Sequence, residues 1–253
     1  MLSVSDYIVR LRHGDCTVRR RAAAMLGQMG DARAVAPLMD ALNDKDHEVR
    51  AQAAVALGRL GDVRAVEPML HLMQDEHPLV RERAAAALGW LGDERATPAL
   101  IESLHDDDWR VRRQAALALG NIADSAAVPA LIAALQDADS KVRRRAAQAL
   151  GNIGHPAALP RLKMLARAAL GTAVEEDCLE AIRRIEEKVA VTRALPRPAA
   201  PPVPPVTNLP ISALAPHLSP EMLPRPAPPP APAPPSWVQR LAEVIWRRLK
   251  RKQ

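Results

Sequence analysis

The chain repeats itself every 31 residues, and this periodicity limits the folds that it can adopt. Five segments align without an insertion: "TVRRRAAAMLGQMGD" from Thr17, "EVRAQAAVALGRLGD" from Glu48, "LVRERAAAALGWLGD" from Leu79, "RVRRQAALALGNIAD" from Arg110 and "KVRRRAAQALGNIGH" from Lys141. Because a unit of this length cannot bury its apolar face alone, neighbouring units must stack on one another. The sequence therefore predicts a solenoid.

Each repeat contains two helical patterns. In the first pattern Val49, Ala53 and Leu57 recur at helical spacing, with Asp46 at an N-cap position and Gly61 at the C-terminal stop. The second pattern carries a proline, which we expect in the first turn of its helix, where a missing N–H costs little. These prolines are Pro37, Pro68, Pro98, Pro129 and Pro160.

The composition supports an all-α fold. With no Phe, one Tyr and four Trp, the core must consist of Ala, Leu, Val and Met, which favours close packing of helix on helix. The two cysteines, Cys16 and Cys178, have neither disulfide nor metal-ligand spacing, and we interpret them as small core residues of a reduced, cytosolic protein. We therefore expect a cytoplasmic protein.

The repeated V-R-x-x-A-A-x-x-L-G motif and the proline-bearing helix resemble HEAT repeats, specifically the PBS-lyase-like HEAT subfamily, over residues 3 to 188. The resemblance implies an α-α superhelix of about six helix pairs, with the V-R helices on its concave side. It implies no single function, because the subfamily includes lyase subunits, hydroxylases and plain scaffolds.

Arginines recur directly after the valine of each V-R motif, and aspartates recur just before each of these helices. One interpretation is a basic stripe for an acidic ligand. The other, which we favour, is a structural ladder of Asp–Arg pairs between repeats, as the resemblance to HEAT proteins also implies. The ladder positions are Arg19, Arg50, Arg81, Arg112 and Arg143.

Outward positions of the V-R helices vary from repeat to repeat and would form a basic groove with an apolar patch near its middle. Such a surface suits a partner protein with acidic and aliphatic side chains. The predicted partner-binding residues are Arg20, Val55, Arg59, Arg83, Trp90, Arg110, Arg113, Leu117, Lys141 and Arg144. Alternatively, Trp90 covers a neighbouring repeat, and we interpret Trp109 as a packing or edge residue.

The sequence offers no catalytic constellation. The deoxyhypusine hydroxylase-like members of the subfamily place His-Glu metal ligands directly after the V-R motif, where this chain has pairs such as Arg20-Arg21 and Ala51-Gln52. A bilin lyase-like role would rest on family resemblance alone. We expect no catalytic residue, no metal and no other cofactor. A neutral domain with few aromatic residues also argues against nucleic-acid binding.

Charge and proline content divide the chain into three parts. Residues 1–193, the predicted solenoid, carry 27 basic and 27 acidic side chains, so the excess positive charge lies in the remainder. Residues 194–235 contain 17 of the 24 prolines and are predicted to be a disordered linker. Residues 236–253 are predicted to form a cationic amphipathic helix. A capping-box pattern at Ser236 marks its start.

The predicted terminal helix is short and would fold against another surface. Three surfaces could receive this helix: the inner face of an anionic membrane, the groove of a partner or of a second copy of the chain, and the exposed end of the solenoid itself. The residues that would anchor it are Trp237, Leu241, Val244, Ile245, Trp246, Arg247, Arg248 and Leu249.

These observations predict a non-enzymatic scaffold that binds a partner on the concave face and is tethered through its C-terminal helix. The alternative is a lyase-accessory or hydroxylase member of the same subfamily.

Overall fold

The computed structural model describes residues 2–194, which form twelve α-helices without a β-strand in that range. The helices are α1 (Val4–His13), α2 (Cys16–Met29), α3 (Val35–Asp40), α4 (His47–Leu60), α5 (Val66–Leu72), α6 (Pro78–Leu91), α7 (Thr97–Ser103), α8 (Trp109–Ile122), α9 (Val128–Ala134), α10 (Ser140–Ile153), α11 (Leu159–Ala168) and α12 (Ala173–Ala194). They form six consecutive pairs, so the predicted all-α solenoid of about six helix pairs is confirmed. The terminal helix and nearly all of the linker lie outside the described residues.

The long helices begin and end at the predicted signals. The Asp46 carboxylate accepts hydrogen bonds from the amides of Glu48 and Val49, and Gly61 ends α4 in the left-handed region with φ of 70°. Ala123 takes the same conformation at the end of α8, with φ of 60°. For a residue with a Cβ this conformation costs about 1–2 kcal/mol, which the surrounding packing must offset.

A 3-10 turn precedes each of the short proline-bearing helices α3, α5, α7 and α9. The turn before α3 covers Ala32–Ala34, and the Asp31 carboxylate caps it by accepting from the amide of Arg33. Asp62, Asp93 and Asp124 cap the equivalent turns in the next three units. The prolines follow within the first turn of each short helix, as predicted.

Successive long helices pack directly on one another through glycine–alanine contacts. A Cβ added to Gly89 of α6 would lie 2.7 Å from the Cα of Ala118 in α8. Equivalent glycines approach the next long helix just as closely at Gly27, Gly58, Gly120 and Gly151. The short helices pack mainly on the long helix of their own unit. The long helices thus stack directly on one another and share one surface, which we call the inner face. That this face is the concave side of the solenoid stays a prediction.

One continuous core of Ala, Leu and Val runs through the described residues, with a buried leucine in each long helix from α2 to α10. The core extends into the last unit, where Cys178 and Ile185 are fully buried. Burial raises the pKa of the Cys178 thiol to about 11. Cys16, by contrast, is exposed at the start of α2, so its assignment to the core was wrong.

Candidate partner-binding face

Four of the five ladder arginines form two hydrogen bonds with an aspartate 25 residues further along the chain. Arg50 donates through Nε and Nη2 to the Asp75 carboxylate at 2.7 and 2.9 Å, and through Nη1 to the carbonyl of Asp44 at 2.9 Å. One guanidinium therefore links the loop before its own helix to the loop before the next one. The other pairs are Arg19–Asp44, Arg81–Asp106 and Arg112–Asp137.

The fifth ladder arginine, Arg143, has a different environment. Its Nη1 donates to the carbonyls of Asp137 and Ala138 at 2.7 and 2.9 Å. The residue 25 positions further on is Ala168, which offers no carboxylate. The last pair of the ladder, Arg112–Asp137, therefore joins the fourth and fifth units, and among the described residues no equivalent pair joins the fifth unit to the sixth.

The ladder pairs are largely buried, and their ionisation is coupled to folding. Side chains in the four pairs are between 9% and 18% exposed. Burial raises the pKa of Asp75, but the hydrogen bonds from Arg50 and the His77 amide outweigh it and hold that pKa below its ordinary value. Groups in this position stabilise the register between units and present little charge to a ligand.

The inner face consists of the residues of the long helices that point away from the core. Among the predicted partner-binding residues, Arg59, Arg83 and Lys141 are exposed, and Leu117 is half-buried. Trp90 is 49% exposed, an unusual fraction for so large an apolar side chain. Val55 is only 7% exposed, so it offers little surface to a partner and its prediction as a contact residue is corrected.

Four predicted contact cations have carboxylate partners within the chain, which the sequence analysis did not anticipate. Arg113 of α8 pairs with Glu82 of α6 at 3.2 Å, and Arg20 of α2 pairs with Glu48 of α4. The other two pairs are Arg110–Asp108 and Arg144–Asp177. The face is therefore less basic than the sequence analysis predicted, and its free positive charge is concentrated at fewer positions.

Trp90 combines the two roles that the sequence left open. A Cβ added to Gly58 of α4 would lie 2.9 Å from Cε3 of the Trp90 ring, so the ring covers the neighbouring helix at its glycine. About half of the side chain nevertheless remains exposed on the inner surface. The indole is thus fixed by packing on one side and available for contact on the other.

Trp109 has a more specific role than that of an edge residue. Its ring lies 4.5 Å from the Lys141 ammonium and 5.3 Å from the Arg113 guanidinium carbon, both within the range of cation–π attraction. The i, i+4 spacing of Trp109 and Arg113 could have signalled the first of these contacts. The second joins α8 to the following long helix, α10, and depends on how the repeats stack.

The described residues provide no assembled catalytic or metal site. No group of three or more His, Cys, Asp or Glu side chains in this range is placed to hold a metal ion. His47 and His77 stack at 3.7 Å between ring centroids, and the Nδ1 of His77 caps α6 by accepting from the Leu79 amide. In the described range no helix has both the length and the hydropathy required to cross a bilayer.

The fold and this surface define a class of protein: an α-solenoid of stacked helix pairs whose frame repeats from unit to unit while the exposed residues of its inner face differ. Sequence comparison agrees, because the profile of HEAT repeats matches residues 5–73, 62–118 and 97–183. The chain belongs to the HEAT-repeat family. Comparison with curated proteins gives no significant match.

Solved structures of repeat proteins share the fold. An engineered protein is 24% identical with a TM-score of 0.59, covering 74% of this chain and 98% of that chain. A designed armadillo repeat protein in complex with the peptide (KR)4 is 20% identical with a TM-score of 0.58, covering 73% and 100%. The CpcE–CpcF complex of phycocyanin lyase from Nostoc sp. PCC7120 is 23% identical over 74% and 95%, but its TM-score of 0.43 is too low to bear on activity.

Proposed function

We propose that this protein is a non-enzymatic scaffold that binds a segment of another protein along the inner face of its long helices. The bound segment carries acidic and aliphatic side chains. The frame supports this proposal because the ladder and the glycine–alanine contacts hold the units in register without using the outward positions. Those positions are therefore free to differ between units, as they do.

The observation that carries the proposal is the exposed Trp90 with arginines beside it. Arg83 and Trp90 are seven residues apart on α6 and so share one side of the helix. Arg59 is exposed at the position equivalent to Trp90 on α4. Trp and Arg are enriched in the residues that dominate protein–protein binding energies, and a rigidly held indole loses little entropy when a partner covers it.

The positive charge of the exposed positions indicates that the partner carries negative charge. Arg59, Arg83 and Lys141 are exposed on this face and can pair with carboxylates of a bound segment. The designed armadillo repeat protein in complex with the peptide (KR)4 supports the proposal, because it is a repeat protein of similar fold that holds a peptide. We infer that this chain also binds a peptide segment, but one of the opposite charge.

Selection from a random peptide library tests this proposal. Peptides retained by the immobilised protein should be enriched in Asp, Glu and aliphatic residues, and a Trp90→Ala variant should retain fewer of them because the central apolar contact is lost. Met164→Ala is the matched control, since Met164 has a similar exposed fraction on α11 away from this face. Equal retention by the Trp90→Ala variant, or selected peptides without acidic bias, would contradict the proposal.

For the C-terminal segment, residues 236–253, we propose tethering to an anionic membrane surface. The support is its sequence: six Lys/Arg against one Glu, with Trp237 and Trp246 beside aliphatic residues. A partner protein and the solenoid itself are the competing surfaces.

A further inference from the structure

The inner face contains a small pocket between α8 and α10 whose lining is almost entirely cationic. Its volume is about 250 Å³. Five side chains line it, and none of them is acidic: Arg113, Lys141, Arg144, Arg145 and Gln148. The net positive charge of this lining favours an anion within the pocket.

Contacts with neighbouring side chains restrain the cations around this pocket. Trp109 lies against both Lys141 and Arg113 and so limits the directions that these two side chains can take. Arg145 donates to the Oε1 of Gln148 at 2.7 Å, and Gln148 in turn donates to Asp177 at 2.6 Å. The pocket is thus partly organised before any ligand enters.

The nearby carboxylates leave part of this positive charge unneutralised. Glu82 pairs with Arg113, and Asp177 pairs with Arg144, but neither carboxylate lines the pocket. Lys141 contacts the Trp109 ring, and Arg145 bonds to the neutral amide of Gln148. The guanidinium of Arg145 has five N–H donors, so donors remain for a ligand after this one bond is made.

We propose that this pocket binds an oxyanion of the partner segment, either a carboxylate or a phosphoryl group. This inference rests on the proposed function, because it assigns the pocket as the anchor of the segment that passes Trp90. Guanidinium groups match the geometry of oxyanions and bind them through two parallel hydrogen bonds. Arg113 and Trp90 lie on adjacent long helices, so one extended segment can reach both sites.

Fluorescence anisotropy with three labelled peptides tests the assignment. The first alternates leucine with glutamate, the second replaces its central glutamate by phosphoserine, and the third replaces every glutamate by glutamine. Arg145→Gln should weaken the first two by about tenfold or more, because it removes a charge-assisted hydrogen bond. Arg167→Gln, an equal change of charge at an exposed position of α11, is the matched control.

The comparison of variants separates the two proposals. If Trp90→Ala weakens peptide binding and Arg145→Gln acts no more strongly than Arg167→Gln, the face binds peptide but the pocket assignment is wrong. If no peptide binds, calorimetric titration of wild type and Arg145→Gln with inorganic phosphate tests the pocket alone, and equal or absent heats overturn it. Tighter binding of the phosphoserine peptide identifies a phosphoryl ligand, and tighter binding of the glutamate peptide identifies carboxylates.

Lys141→Gln provides a second variant in case Arg145→Gln disturbs the hydrogen bond to Gln148. Lys141 is exposed, so its replacement should leave the far-ultraviolet circular dichroism unchanged while it weakens the acidic peptides. Peptide affinity that is unaffected by either substitution overturns the assignment.

Discussion

Four of the five ladder arginines bond to two adjacent loops at once, and this explains why an arginine and not a lysine stands at these positions. The planar guanidinium of Arg81 donates to Asp106 through two nitrogens and to the Asp75 carbonyl through the third. A lysine ammonium at the same point has no fixed planar arrangement of donors that matches a carboxylate. Each ladder pair joins only two side chains, but it also fixes how one repeat packs on the next.

Removing one ladder carboxylate should destabilise the fold in a pH-dependent manner. Asp75→Asn leaves Arg50 largely buried without its hydrogen-bonded counter-ion, and we expect a loss of about 2–3 kcal/mol in the free energy of unfolding at pH 7. Urea titration followed by circular dichroism measures this loss. Asp107→Asn, at an exposed acid in an equivalent loop, is the control and should change stability little.

The sign of the pH effect follows from the depressed pKa of Asp75. A carboxylate with a lowered folded-state pKa binds fewer protons when folded, so its stabilisation is present above the unfolded pKa of about 4 and is lost as pH falls through the folded pKa. The difference between wild type and Asp75→Asn should therefore shrink below pH of about 4. A difference that stays constant down to pH 2 would mean that the pair contributes nothing through its charge.

The sequence predicted pairing between these aspartates and arginines but could not separate the roles of neighbouring aspartates. Asp44 and Asp46 both precede α4; the structure gives the first to the ladder and the second to the N-cap. In the next unit His77 replaces the second aspartate and caps α6 through its ring nitrogen. Only the stacking geometry shows which carboxylate faces the previous repeat.

At the scale of helices, the distance between units is set by residues that have little or no side chain. Gly89 allows α6 to meet α8 at the backbone of Ala118, and the same contact recurs along the stack. Alanine normally stabilises a helix interior relative to glycine by about 1 kcal/mol. At this position the added methyl group has no space, so packing overrides helix propensity.

Gly89→Ala should consequently destabilise the protein by about 1–3 kcal/mol, opposite in sign to the effect expected from helix propensity. Urea unfolding monitored by circular dichroism measures the change. A double variant that adds Ala118→Gly should recover part of the loss, because the clash involves both the Cβ and the Cα of Ala118. Strictly additive losses would show that the two residues do not interact.

The order and type of the main helices were predictable because their apolar spacing, caps and prolines repeat five times. The 3-10 turns before the short helices were missed, although Asp31 and Arg33 recur as Asp62–Arg64 and Asp93–Arg95 at the same 31-residue step. The candidate site was predicted less well. Internal ion pairs such as Arg144–Asp177 join different helices, and repeat alignment alone does not show which side chains meet across a seam.

At the scale of the whole chain, the excess positive charge of residues 194–253 suggests a second binding element. If residues 236–253 bind an anionic surface, the full chain should sediment with phosphatidylserine vesicles and less with phosphatidylcholine vesicles. Sedimentation should weaken as salt rises, because the attraction is screened. A chain lacking residues 236–253 is the comparison, and equal sedimentation of the two chains would rule out this tether.

The constant spacing of the ladder fixes the position of each unit relative to its neighbours. If a segment binds along this face as proposed, the order of the exposed side chains along the chain sets the order of their contacts with that segment. Exchanging two central units would then change the order of these side chains while leaving the backbone the same. The specificity of such a face could then be changed by replacing one 31-residue unit at a time.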